Sequence, residues 1–256
     1  TSTVDYEGTN QNVTALTYGH LHLNGSGTKT SLGDFDINGD FVTNASFAHG
    51  NDRHTFTGSV AQTVGGTSAP TFYRFRINNS STGVTMTTNV TADWALIMLD
   101  GILHTGANTF TVIRTATGSV NSFGTGSYVN TGASGNLRRY VAATGSYDFP
   151  VGNANGYQLL TCNITGGSTV NYFDCNFSNM AASYTPVLWD GPIDYNGDIL
   201  NCGGTNATTG HASPGVWTLE ADAGTTATYN LTLNGRNADN EGINHTILKS
   251  SRPPGS

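Results

Sequence analysis

The sequence predicts an all-β chain in which a parallel β-helix is followed by an antiparallel, immunoglobulin-like β-sandwich. Short runs of alternating apolar and polar residues are separated by Gly, Asn and Ser turns, a pattern typical of half-buried strands. An approximate internal repeat marks the first half, and longer, less repetitive strands mark the second. No window keeps the three- and four-residue apolar spacing of an amphipathic helix.

The alternation is clearest in the run FYRFRINN, residues 72–79. Successive side chains of a strand point to opposite faces, so the run divides into two sets. The predicted inward set is Tyr73, Phe75 and Ile77. The predicted outward set is Phe72, Arg74 and Arg76, which are candidate surface contacts for acidic glycans or for a neighbouring module.

Two long segments of the first half match each other approximately. Tyr6 aligns with Phe56 and Gln11 aligns with Gln62, which gives a period near 50 residues. Such a period with strand–turn–strand content is typical of a solenoid, and each repeat would hold two or three coils of a parallel β-helix. A single coil buries its apolar side chains only against its neighbours. We therefore assign residues 1–138 to the β-helix.

The pattern of predicted strands changes after the Gly- and Ser-rich run at 123–136. The strands that follow are longer, and prolines punctuate them. We assign residues 139–256 to an antiparallel β-sandwich, because this length is normal for an immunoglobulin-like module. Trp189 and Trp217 are its expected core aromatics.

Three strings carry a family resemblance: AQTVGGTSAPTFYRFRINNSSTGVTM, LDGILHTGANTFTV and LRRYVAATGSYDFPVGNANGYQLL. They resemble the long secreted surface proteins of Bacteroidetes-type bacteria. The resemblance implies right-handed parallel β-helix coils that lead into β-sandwich modules, export through a type IX secretion system, and an extracellular or cell-surface location. It implies no particular ligand, because packing and turn residues carry it.

Composition excludes two classes of function. The chain has 10 Lys and Arg against 17 Asp and Glu, a net charge of -7, whereas nucleic-acid binding needs a basic face. No apolar run approaches the roughly 18 to 20 residues of a membrane span. The chain starts inside a repeat and ends in a Pro-rich loop, so we expect either a piece of a larger polypeptide or a subunit whose ends are covered by neighbours.

The three cysteines all lie in the second half, at Cys162, Cys175 and Cys202. An odd number leaves one thiol free or intermolecular. The sequence does not determine which two residues pair, and we favour a Cys162–Cys175 disulfide because two neighbouring strands could bring these residues together.

Two strings contain oxygen ligands at the spacing of a calcium loop. The first contains Asp34, Asp36 and Asn38, and the second contains Asp194, Asn196 and Asp198. In the first string, the bidentate acid expected about six residues after the glycine is missing. Strand alternation also explains this string, with Phe35 and Ile37 pointing inward. Calcium is therefore the one cofactor that the sequence suggests, as a minor alternative.

No set of residues predicts catalysis. The acids of the β-helix are scattered, and no nucleophile lies in a recognisable motif. His20, His22, His49 and His54 are expected to be exposed strand and turn residues rather than zinc ligands. We predict a protein that is not an enzyme.

We therefore expect a structural or adhesive extracellular segment, or a filament subunit, that associates head to tail with copies of itself or continues into neighbouring modules. One alternative is a carbohydrate-binding or polysaccharide-degrading β-helix protein that contacts surface glycans. A second alternative is an ice-binding solenoid, which the Thr-rich strings TMTTNVTA and NTFTVIRTAT suggest. Thr is also the best polar residue for an exposed strand.

Overall fold

A computed structural model describes residues 2–132, 134–179, 199–200, 215–223, 225–235 and 244–249. This part of the chain is all-β, with one 3-10 turn at Thr117–Ser119 as its only helix. Parallel strands form a β-solenoid of about 7 turns, so both the all-β class and the solenoid are confirmed.

The first three turns contain three strands each. These are β1 (Thr3–Tyr6), β2 (Gln11–Val13) and β3 (Thr17–Tyr18), then β4 (His20–Leu23), β5 (Thr28–Ser31) and β6 (Phe35–Ile37), then β7 (Phe41–Thr43), β8 (Ser46–Ala48) and β9 (Arg53–Phe56). The first strand of each turn lies in sheet A, the second in sheet B and the third in sheet C. Three short strands per turn give these coils three sides.

The next four turns keep only sheets A and C. Their strands are β10 (Gln62–Gly65) and β11 (Thr71–Asn78), β12 (Val84–Met86) and β13 (Val90–Asp100), β14 (Leu103–His104) and β15 (Thr109–Val112), then, after a short β16 (Val120–Asn121), β17 (Val129–Asn130) and β18 (Asn136–Tyr140). The longest of these strands, β11 and β13, lie side by side in sheet C.

The second half of the chain extends both long sheets with antiparallel strands. These are β19 (Gly145–Asn153), β20 (Gly156–Gly166), β21 (Tyr172–Asn179), β22 (Ile199–Leu200), β23 (Gly215–Ala221), β24 (Thr228–Gly235) and β25 (Asn244–Lys249). Sheet A continues through β19, β20, β24 and β25, and sheet C continues through β21, β23 and β22.

The change from parallel to antiparallel pairing occurs without a break in either sheet. Strand β19 pairs in parallel with β17 and antiparallel with β20, while β18 pairs in parallel with β15 and antiparallel with β21. The predicted boundary between residues 138 and 139 lies inside β18. One cluster of buried apolar side chains extends from Val13 to Leu233, so the described antiparallel strands share a core with the solenoid.

The repeating unit of the fold is one coil, which is shorter than the repeat found in the sequence. Leu21, Phe41 and Val64 occupy equivalent positions on successive strands of sheet A. The sequence repeat therefore spans more than two coils and aligns positions that are not equivalent. Tyr6 lies in sheet A, whereas its predicted counterpart Phe56 lies in sheet C.

A β-bulge changes the predicted faces of β11. Phe72 pairs with Ala92 and Arg74 pairs with Ala95, so Tyr73 lies opposite two residues of β13. At this irregularity two consecutive residues of β11, Tyr73 and Arg74, lie on the outer face, so the inward residues on either side of it are three residues apart. The prediction is therefore wrong for Phe72, which is fully buried, and for Tyr73, which lies on the partly exposed outer face. The remaining assignments are confirmed, with Phe75 and Ile77 inside and Arg74 and Arg76 outside.

Phe72 is a central contact of the solenoid core. Its ring lies 5.0 Å from that of Phe75, 5.2 Å from that of Phe41 and 5.7 Å from that of Phe47, measured between centroids. The four rings come from sheets A, B and C. Phe72 therefore connects all three sides of the coil.

Replacing Phe72 by Ala should lower the free energy of unfolding by about 3 to 5 kcal/mol, because it leaves a cavity among these rings. Tyr73→Ala, which truncates the neighbouring outer side chain, should cost much less. Urea unfolding of the two variants measures the difference. A larger loss for Tyr73→Ala would contradict the inward position of Phe72.

Lys29 supplies a buried charge to the inner side of sheet B. Its side chain is fully buried, and Nζ donates hydrogen bonds to the carbonyl oxygens of Gly8 at 2.6 Å, Thr9 at 2.7 Å and Ser26 at 2.9 Å. An ammonium group has three donors, so these carbonyls satisfy it completely. The lysine thereby fixes the turn after β1 against the turn before β5.

Lys29→Met should destabilise the fold by roughly 1 to 3 kcal/mol, because an apolar side chain leaves those carbonyls without a donor. Thr30→Val on the outer face of β5 is the control, and it should change the unfolding free energy by no more than about 0.5 kcal/mol. Thermal or urea unfolding distinguishes the two, and equal losses would contradict this role for Lys29.

Candidate functional site

Four planar side chains form a stacked row on the outer face of sheet C. The row consists of His49 after β8, Tyr73 on β11, Trp94 on β13 and Arg114 after β15. The ring centroids of His49 and Tyr73 are 5.8 Å apart, and those of Tyr73 and Trp94 are 5.2 Å apart, each pair inclined by 28°. The guanidinium carbon of Arg114 lies 3.4 Å from the Trp94 ring centroid.

The β-bulge creates this row. It leaves two consecutive residues of β13, Asp93 and Trp94, partly exposed opposite the single residue Tyr73. Neighbouring strands lie about 4.8 Å apart, a distance that lets planar groups at equivalent positions stack. His49 is fixed at one end of the row, since its Nε2 lies 3.0 Å from Asp93 Oδ2.

The stacked row covers both faces of the Trp94 ring. Tyr73 and Arg114 come from the strands on either side of β13, so Trp94 lies between them. Its flat faces are therefore not available to stack against a sugar. The accessible groups are ring edges and the N–H groups of the arginines.

Three arginines on this face form what we call the arginine patch: Arg74, Arg76 and Arg114. The guanidinium carbon of Arg74 lies 4.9 Å from the Tyr73 ring centroid and 5.9 Å from that of Trp94. Among the described residues, no carboxylate lies within ion-pair distance of the patch, whereas the adjacent Arg53 binds Asp34 at 3.0 Å. Of the three, the sequence identified Arg74 and Arg76 and missed Arg114.

A short row of threonines lies beside the stacked row. Thr71, Thr91 and Thr111 occupy equivalent positions on β11, β13 and β15. They alternate with buried residues, so their side chains lie on the outer face. The next position belongs to Arg138. The Thr-rich strings therefore supply two of these three hydroxyl groups, those of Thr91 and Thr111, rather than a long flat array.

The first calcium candidate is occupied by contacts within the chain. Asp34 accepts a hydrogen bond from the backbone N–H of Arg53 at 2.7 Å as well as its ion pair. Asn38 Oδ1 accepts a hydrogen bond from Thr57 Oγ1 at 2.6 Å. Asp36 lies on the outer face of β6 between the buried Phe35 and Ile37.

In the described part of the chain, no three His, Cys, Asp or Glu side chains converge on a metal site. The second calcium candidate, Asp194, Asn196 and Asp198, lies outside the described residues, as do Cys202 and Trp189. The other expected core aromatic, Trp217, is buried against Phe177 at a ring distance of 4.7 Å.

The histidines differ in environment. His20 and His22 lie on the outer face of sheet A near carboxylates, with His20 at 3.3 Å from Asp40 and His22 at 3.2 Å from Asp5. The expectation of an exposed residue is wrong for His54, which is fully buried. It belongs to the aromatic core, where its ring lies 4.1 Å from that of Phe35.

His54 is held neutral by its surroundings. Its pKa is lowered to about 3, mainly by burial and also by nearby His49, while Asp34 acts in the opposite direction. Ser31 Oγ lies 3.2 Å from His54 Nε2 and donates to the Gly33 carbonyl. Because both side chains are buried, this Ser–His pair is not accessible to a substrate.

Folding stability should therefore fall as the pH decreases from about 6.5 towards 3. In this range the unfolded chain binds a proton at His54 and the folded chain does not, so protonation favours unfolding. The loss between pH 7.0 and pH 4.5 should reach up to about 2 to 3 kcal/mol. His54→Phe, which suits the aromatic surroundings, should remove this part of the pH dependence in urea unfolding. An unchanged pH dependence would contradict it.

The expected disulfide is not present, because Cys162 and Cys175 are both free, buried thiols. They do not lie on neighbouring strands: β20 belongs to sheet A and β21 to sheet C. Burial raises the pKa of the Cys162 thiol to about 12 and that of Cys175 well above its usual value. Both groups therefore act as small core residues rather than as nucleophiles.

The described residues include no helix that is long and apolar enough to cross a membrane. No protein-family model matches the chain. Comparisons with curated proteins and with solved structures also found no significant match.

Proposed function

We propose that this chain is a rigid, non-catalytic segment of an extracellular bacterial surface protein, with a structural and adhesive role. The observation that carries the proposal is the continuity of sheets A and C, which extend from the first coil into the antiparallel strands around one apolar core. A hydrogen-bonded stack of coils resists bending because each coil is fixed to both neighbours. The regularity of the stack is itself the functional property.

Several features support the extracellular assignment. The chain is rich in Thr, Asn and Ser, and only 11% of its residues are charged. The resemblance to Bacteroidetes-type surface proteins supports export through a type IX system, with residues 139–256 acting as the β-sandwich that joins or presents the rod. The antiparallel strands that extend the two sheets suit that role.

Self-association or contact with adjacent modules occurs, in this proposal, by strand addition at sheet edges. Among the described strands, β1 has β4 as its single partner. The carbonyl oxygens of Ser2 and Tyr6 accept hydrogen bonds from the side of β4. In a parallel strand the intervening residues face the other way, so the backbone of Thr3 is directed to the edge of β1 that lies away from β4.

Sedimentation velocity over a range of concentrations, with electron microscopy of the same samples, tests this function. We expect elongated particles that associate end to end. Thr3→Pro should weaken the association, because proline removes an edge N–H group without affecting the β4 ladder. Thr3→Ala is the control and should behave like the wild type. A compact particle that stays monomeric at every concentration would contradict the proposal.

Glycan binding is the second candidate, and the arginine patch is the observation that favours it. Ice binding is not proposed, because the threonine row ends after three rungs at Arg138.

A further inference from the structure

We infer that the outer face of sheet C binds an anionic polysaccharide, with the arginine patch contacting its acidic groups and the row of Thr71, Thr91 and Thr111 contacting its hydroxyl groups. This inference rests on the proposed adhesive function and specifies the ligand class of that function. It uses a different surface from the sheet edges that join one rod to the next.

The outer face of sheet C concentrates positive charge in a chain that is negative overall. The chain carries a net charge of -7, yet Arg74 and Arg76 follow each other on the outer face of β11. Arg74 also lies directly opposite Arg53 on β9. Like charges in that position destabilise a sheet unless anions offset them. Asp34 provides the anion for Arg53, so an acidic ligand would do the same for Arg74.

The carboxylates of this face do not neutralise the patch. Asp93 is bound by His49. Asp36 lies in the same column as Arg76 but two strands away, with Thr55 between them, and it forms no ion pair with an arginine in the described part of the chain. The patch therefore keeps an excess of positive charge.

Two of the three arginines are also held in place before a ligand arrives. Arg114 lies against Trp94 at 3.4 Å, and Arg74 lies over Tyr73 at 4.9 Å. A guanidinium stacked on a ring keeps its in-plane N–H donors free for a carboxylate or sulfate. Preorganised side chains lose less conformational entropy when they bind. The stacked row thus acts as the support for the charged contacts.

The residue composition of this face favours a polysaccharide over a protein as the ligand. The centre of a protein interface is usually apolar and poor in charge. Here the arginines share the outer face with threonines and half-exposed rings, while Ala95 and Ile97 lie opposite Arg74 and Arg76. The exposed large apolar side chains nearby are Leu99 at 46% and Ile113 at 43%. Three arginines without an ion-pair partner among the described residues make this face more charged than the centre of a typical protein interface. Hydroxyl rows suit sugar hydroxyls. Since the faces of Trp94 are covered, binding should depend on charge and weaken as salt increases.

The test is binding of the whole chain to immobilised polygalacturonate and dextran sulfate, with neutral dextran and poly-glutamate as comparison probes. We expect binding to at least one of the two anionic polysaccharides and none to neutral dextran. The double variant Arg74→Gln/Arg114→Gln should weaken binding at least about tenfold, as expected for the loss of charge-assisted hydrogen bonds. Raising the salt concentration should also weaken it.

The matched control is Arg53→Gln/Arg138→Gln. It removes the same number of charges from sheet C, but only from arginines that bind Asp34 and Asp174. This control should change the affinity by less than about threefold. The change is smaller than the tenfold loss expected for the other double variant, which corresponds to about 1.4 kcal/mol. Equal losses in the two double variants would overturn the site, because the binding would then follow net charge alone.

Two further results would overturn the inference. Poly-glutamate binding as tightly as the polysaccharides would show that the face recognises any polyanion, including an acidic protein. No binding to either anionic polysaccharide would overturn the ligand class. Because rod shape and end-to-end association are measured without any ligand, these outcomes are distinguishable from a failure of the proposed structural function.

Discussion

The structure depends on one constraint: the backbone of each coil forms its hydrogen bonds with the coils on either side. Parallel pairing at a fixed spacing of about 4.8 Å places equivalent side chains in columns. Inner columns collect apolar groups such as Leu21, Phe41 and Val64. A polar group enters the interior only with its hydrogen bonds arranged, as Lys29 does with three carbonyls, or in its neutral form, as His54 does.

The same constraint gives the outer surface its regularity, and the β-bulge is where that regularity changes. At the bulge Phe72 lies in the core and Tyr73 lies beside Trp94 on the outside. The core packing of the coil and the stacked row on its surface therefore have a common origin. Outer columns elsewhere pair polar groups, such as Asn44 with Asn24 at 2.8 Å.

Much of this architecture could be predicted from the sequence, because alternation with a period of two is a local property. It identified strands and the outward Arg74 and Arg76, and the approximate internal repeat indicated the solenoid. The number of residues in each coil decides which strands share a sheet, and local alternation does not show that number. The alignment of Tyr6 with Phe56 was therefore wrong, because the two residues lie in different sheets.

The outward position of Trp94 could not be predicted for another reason. Ala92, Trp94 and Leu96 are spaced two residues apart, as if they shared one inner face. Only the pairing with β11 shows that Trp94 lies on the outer face. By contrast, the three-residue step from Phe72 to Phe75 was a visible signal of the β-bulge.

The uninterrupted ladder also determines how the molecule would respond to tension. Its hydrogen bonds point from coil to coil, along the stacking direction, so a pull in that direction acts on one rung at a time. The coil from Leu21 to Phe41 contains 20 residues, and an extended chain spans about 3.3 to 3.6 Å per residue. Each rung that opened would release roughly 60 to 70 Å of chain. A stiff spacer at rest would thus become a stepwise extensible tether under load, dissipating mechanical work before the chain breaks.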